Sequence, residues 1–131
     1  MRVFGLDEAT ALLPTVRPLV AALLATRRDL AIGLLELETG TRLHNTLEDT
    51  QRDHVRHEKV RRMQLRIVEL VERVQAHGCV VKDVDLGLID FPSLLGGQIV
   101  NLCWKMGEPN IGFWHGMEEG FASRKPLSHP Q

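Results

Sequence analysis

The chain lacks most of the features that would assign a function outright. No apolar run reaches the ~18 residues of a membrane span. The longest is broken by Thr26, Arg27 and Arg28, so no membrane segment is expected. The opening Met1-Arg2-Val3-Phe4-Gly5-Leu6-Asp7-Glu8 contains no uninterrupted apolar stretch ending in a small-residue cleavage site, and no signal peptide is visible. Cysteine is scarce: Cys79 and Cys103 form no Cys-x-x-Cys pair and allow at most one bridge. Without an export signal, both read as reduced thiols of a cytoplasmic protein. Charge of one sign is lacking too. The net charge of −1 excludes bulk attraction to nucleic acid, though not a local patch. There is no standard catalytic or nucleotide-binding motif, no internal repeat and no low-complexity segment. What remains is 131 residues, 44% hydrophobic and 25% charged, which is one domain of ordinary globular composition and excludes wholesale disorder.

Two helical stretches come first. Asp7 is the expected N-cap of the first, ahead of Glu8-Ala9-Thr10-Ala11. Pro14 and Pro18 predict a short helix and then a kink or restart near Pro14. Beyond it Val16, Leu19, Val20, Leu23, Leu30, Leu34 and Leu37 recur at helical spacing, widened by Leu13, Leu24, Ile32 and Leu35. A helix apolar over so wide an arc must be covered on more than one side, which makes a homodimer the expected state. Thr39-Gly40-Thr41 ends it. The second helix starts at Asn45 or Thr46, where Asn45 and Glu48 have the spacing of a capping box, and closes at His77-Gly78. Its apolar face is Val60, Met63, Ile67, Leu70, Val71 and Val74. Asp49, Asp53 and Arg56 occupy the same angular position further up, so the first half of this helix either extends into water or meets a partner through charged contacts.

After Gly78 the period changes. Cys79-Val80-Val81-Lys82, Leu88-Ile89-Asp90-Phe91, Gln98 to Trp104 and Ile111 to His115 read as short strands, with Pro92 ending the second. Short connections imply an antiparallel meander. The expected fold is α+β: one domain over residues 1–131, with two long antiparallel helices (about 7–77) followed by a small three- to four-stranded antiparallel sheet (about 79–115) packed on them. An extended tail covers 123–131. Pairing the last two strands across a loop of residues 105–110 sets Trp104 opposite Ile111, Leu102 opposite Phe113 and Val100 opposite His115, all on the helix-facing side. Pairing Phe91 with Gln98 puts Asp90 on the other side, beside Asn101 and Cys103. In that register Asp90 and His115 point apart; a slip of one residue reverses this.

Seven of the eleven glycines fall between Gly87 and Gly120, among both tryptophans. Gly87-Leu88-Ile89-Asp90-Phe91-Pro92, Leu102-Cys103-Trp104, Gly107-Glu108-Pro109, Phe113-Trp114-His115 and Gly120-Phe121, with Arg124 and Pro126, resemble the C-terminal signature of domain-of-unknown-function family 2203. The opening, Phe4 through Leu13-Pro14, resembles the start of that family. The resemblance covers the two ends of the chain, and residues 40–62 carry no pattern of it. It implies a bacterial protein and a fold, and no activity.

The chemistry within that motif supports two readings. In the first, Asp90, Glu108, Trp114, His115 and Arg124 build a small-molecule or metal site. Glu108 presents a carboxylate from a restrained turn, His115 is a ligand or proton carrier, Trp114 supplies a wall and an indole donor, and Arg124 forks onto an anion. The metal version takes a divalent transition metal at His115 and Glu108. In the second, the protein is a non-catalytic oligomeric or interaction protein and the motif is structural: Glu108 caps a turn, the tryptophans pack, and His115 is a bonded core histidine. Cys103 reads as a buried structural thiol. An alternative metal pair is His54 and His57 on the second helix, with Glu58 and His44 nearby; two local ligands are too few, and solvated surface histidines are the plainer account. A basic stripe, Arg52, Arg56, Lys59, Arg66 and Arg73, shares one side of that helix. Without interleaved aromatics it reads as a solvated face, and nucleic acid is not the expected partner. No residue is marked as a nucleophile, so no reaction follows.

Overall fold

The computed structural model describes residues 1–42 and 46–127. Helix α1, Leu6–Arg42, is continuous through Pro14 and Pro18. The expected break at Pro14 does not occur. Each proline removes one backbone bond, while Ala9, Leu13, Val16 and Val20 around them are 0–3% exposed, and that burial outweighs the loss. Asp7 lies inside the first turn rather than at its cap. Gly5 holds the cap position: its carbonyl accepts from Ala9 N–H, and Glu8 Oε1 accepts from Gly5 N–H at 3.0 Å.

Helix α2, Leu47–Gln75, is capped by Thr46, whose hydroxyl accepts from Asp49 N–H at 3.0 Å while Asp49 Oδ2 accepts from Thr46 N–H at 3.1 Å. The capping box is therefore this pair, one residue on from the expected Asn45 and Glu48; Asn45 and His44 lie outside the described residues. The helices touch where Gly33 meets α2, with the position of an added Cβ only 3.1 Å from Met63 and 3.3 Å from Val60.

Five strands follow: β1 Val80–Asp83, β2 Leu88–Leu95, β3 Gln98–Lys105, β4 Phe113–Gly116 and β5 Lys125–Pro126, antiparallel and in chain order across the sheet. The fifth comes from the segment expected to be tail. Strand β2 does not end at Pro92. The Pro92 carbonyl accepts from Phe4 N–H, so Pro92 N faces the same edge, beyond the last β1 partner, where no ladder donor is required. Gly96 (φ 58) and Gly97 (φ 81) then form a two-residue hairpin turn that fixes Leu95 opposite Gln98.

One sheet face carries Ile89, Phe91, Leu102 and Trp104 onto Phe4, Ala9, Leu13, Val16 and Val20, with Val74, Cys79 and Ile111 completing the core. By length and composition the stretch Leu6–Gly40 is apolar enough to cross a membrane. This corrects the expectation of no such stretch: Arg17 is the lone charge between Ala9 and Thr26, and the intervening Thr and Pro interrupt the run without making it polar. Six of its side chains, the last being Leu30, are buried in the protein. Beyond Leu30 the sheet no longer covers the hairpin, and Ile32, Leu34 and Leu35 are 51%, 43% and 64% exposed.

Candidate metal centre

The side of the sheet turned away from the helices holds the unusual chemistry. Asp90 on β2 lies directly opposite Cys103 on β3, and His115 on β4 lies opposite Asn101. The β3–β4 register is one residue from the expected one, because the connection runs from Met106 to Gly112 and absorbs one more residue than the turn that was assumed. Phe113 and His115 are consequently turned off the helix-facing side, and Trp114 joins the core margin instead. Asp90 and His115 share a face after all. Their strands are two apart, a backbone separation of ~10 Å, which the two side chains span over β3 to meet at 2.9 Å (Nε2 to Oδ1).

Cys103 sits between them. The donor atoms of Asp90, Cys103 and His115 lie within 4.8 Å of one another, and the three residues are 2%, 0% and 0% exposed. The hydrogen bonds fix the protonation of the pair. His115 Nδ1 is 2.8 Å from the Gly116 carbonyl, which can only accept, so Nδ1 carries a proton. An ionised carboxylate and a bare Nε2 would both be acceptors, so a second proton stands between Nε2 and Asp90. The pair is either imidazolium with carboxylate or imidazole with carboxylic acid. Burial, followed by the charge of Asp90, pushes the Cys103 thiol up to about 12. Such a thiol is no nucleophile near neutral pH.

The other residues singled out from the sequence form a separate structure. Glu108 Oε1 accepts from Lys105 N–H at 2.7 Å and from Arg124 Nη2 at 2.7 Å, and Oε2 accepts from the same nitrogen at 2.9 Å. The Glu108 carbonyl accepts from Trp104 Nε1 at 2.8 Å. Glu108 therefore stitches the β3–β4 connection together, and it is not among the donors gathered round His115. Arg124 also donates to the Cys103 carbonyl at 3.3 Å and lies on the Phe113 ring, 4.0 Å from its centroid, with Phe121 at 5.0 Å. Trp114 is half-buried under Lys125 Nζ, 4.6 Å from the ring. Glu119 accepts from Gly116 N–H and from Lys125; the peptide bond donor first, then the ammonium, holds its carboxyl below the usual range.

His54 and His57 are exposed on α2, and among the described residues no third donor joins them. In the basic stripe, Arg52 pairs with Glu48 and Arg66 with Glu69, consistent with a solvated face, and Arg56 is half-buried. The donor that sequence reasoning passed over as a ligand is Cys103. The signal for it was the pair Gly96-Gly97: read as a two-residue hairpin, it sets Asp90 against Cys103 by counting alone.

No curated protein and no solved structure matches the chain. The pattern of one family does match, over residues 2–127, and includes the middle of the chain that carried no visible signature. The chain belongs to that family, described as "Uncharacterized conserved protein (DUF2203)".

Proposed function

We propose that this chain is a metal-binding protein that takes one divalent transition-metal ion at Asp90, Cys103 and His115. The observation that carries the reading is the convergence of three different donors, one oxygen, one sulfur and one imidazole nitrogen, within 4.8 Å and buried. Zinc-like ions sit about 2.0–2.3 Å from such donors, so small rotamer adjustments bring all three onto one ion. The Nδ1–H bond to the Gly116 carbonyl is the outer contact that metal-ligating histidines use, and it leaves Nε2 as the coordinating atom. A divalent ion displaces the proton held between Nε2 and Asp90 and the thiol proton of Cys103. Carboxylate and thiolate then neutralise it, which matters for a charge buried away from water. The mixed donor set suits zinc, cobalt or ferrous iron better than magnesium or calcium.

Untagged protein purified without chelators, and the same protein after incubation with Co2+, is expected to hold about one metal per chain. The content should fall in Asp90→Asn, Cys103→Ser and His115→Gln. Wild-type protein that stays metal-free in both preparations overturns the reading. The second reading, a structural role for the outer motif, is favoured by one specific observation: both Glu108 carboxylate oxygens and its carbonyl are already bonded within the chain.

A further inference from the structure

We infer that the segment Met117–Leu127 is a strap closed over the donor cluster, fastened by Glu119 and Arg124 to peptide groups of the donor residues and their neighbours. The inference rests on the metal reading and assigns the route by which an ion would enter and leave. The three donors stand on the sheet face away from the helices, yet they are almost wholly buried, so something other than the helices covers them. The segment after β4 makes contacts across that face. Arg124 lies on Phe113, the ladder partner of Cys103, and Phe121 lies 5.5 Å from the Lys105 ammonium, two residues along β3 from Cys103.

One fastening reaches a donor residue and the other the neighbour of one. Arg124 Nη2 bonds the carbonyl of Cys103 itself. Glu119 Oε1 holds Gly116 N–H at 2.7 Å, and Gly116 is the residue whose carbonyl orients His115. Glu119 and Arg124 are thus positioning residues as well as fastenings. Arg124 is itself gripped by both Glu108 carboxylate oxygens. None of the strap's residues is buried, β5 is two residues long, and the backbone is anchored by the short β4–β5 ladder, by Glu119 N–H to the Gly116 carbonyl and by Leu127 N–H to the Gly112 carbonyl. Arg124 Nε is buried without a partner while the side chain is 9% exposed, so closure carries a desolvation cost that opening relieves. A segment held by polar contacts, with Leu127 alone packed on the core, opens locally more readily than the domain unfolds.

The test uses the full chain and two independent readouts. In metal-free protein, iodoacetamide labelling of Cys103 is followed peptide by peptide, with Cys79 as the internal control. Cys79 is equally buried, but in the helix-side core, where its thiol donates to the Val74 carbonyl. Loading and EDTA release of Co2+ are followed through the thiolate–cobalt absorption band. Arg124→Ala should speed Cys103 labelling and both cobalt rates by about tenfold or more, the worth of one charge-assisted contact, with Cys79 labelling unchanged. Glu119→Gln and Glu108→Gln should act in the same direction, and they keep the test open if Arg124→Ala does not fold. Equal acceleration at both cysteines means general loosening and overturns the strap. Unchanged rates in all three variants overturn it as well. If Cys103 alone labels faster but wild-type protein gives no cobalt band, the strap stands and the metal reading falls.

Discussion

Cys103 ties the stability of the metal-free protein to alkaline pH. In the folded chain its thiol is pushed from 9.0 to about 12 by burial and by Asp90. Burial likewise pushes Cys79 from 9.0 to about 11. Unfolded, both ionise near 9.0, so above that pH the unfolded state binds fewer protons than the folded one. Stability is fully present below the unfolded value and is lost as pH rises toward the folded values. Denaturation midpoints of metal-free protein are therefore expected to fall from about pH 9 upward, and Cys103→Ala should flatten that fall. A midpoint insensitive to alkali would contradict the burial of both thiols. At this scale the sequence was partly legible. Asp90 and His115 are polar residues inside strands, which marks them by burial cost alone. Cys103 gives no such signal, because a small apolar thiol fits any core and its neighbours become donors only once the register is known.

Among the elements, the β3–β4 connection is the best-defined piece of structural chemistry. Glu108 satisfies Lys105 N–H and the Arg124 guanidinium from a turn that also fixes Trp104. Glu108→Ala takes the carboxylate from a nearly buried cation and the acceptor from Lys105 N–H, and it is expected to lower stability by about 1–3 kcal/mol. A urea titration checks this, and a midpoint equal to wild type would mean that the ion pair is replaced by water at no cost. Element types were readable from period and turn residues: apolar spacing marks both helices, and Gly96-Gly97 and Gly107-Glu108-Pro109 mark turns, although Leu95 rather than Phe91 stands opposite Gln98. The proline misreadings have one origin, since each concerned what a residue's backbone faces rather than what kind of residue it is. Pro14 and Pro18 are tolerated because core burial surrounds them, Pro92 because its nitrogen faces a ladderless edge. The β3–β4 register moved because a seven-residue connection and a six-residue one look alike in sequence.

For the molecule as a whole, the helical hairpin is longer than the sheet that covers it. From Ile32 outward it presents Ile32, Leu34 and Leu35 on α1, and Val55 on α2 is 62% exposed. The groove between the two helices is lined on the α1 side by Ile32, Leu35 and Glu36 and on the α2 side by Asp49, Arg52 and Arg56. A second copy packed antiparallel here would cover the exposed Ile32 and Leu35 of each chain, so we propose a two-fold dimer through this groove. Sedimentation equilibrium at micromolar concentration is expected to give a dimer, and Leu35→Glu a monomer. A wild-type monomer would remove the proposal. The apolar width of α1 announced this overhang in the sequence, whereas the point where the sheet stops beneath it depends on strand lengths that no local pattern fixes.

Strand order equals chain order, so each long ladder joins neighbours in sequence and can zip up as soon as its turn has formed. One pairing breaks that rule. Phe4 bridges to Ser93, whose hydroxyl donates to the Phe4 carbonyl at 2.6 Å across 89 residues of chain. Once α1 has docked on the sheet, this closure fixes only the few residues ahead of Leu6, so the N-terminal clip is expected to form late in folding. It is expected to act as a latch on the finished molecule, governing how long the native state lasts more than how quickly it is reached.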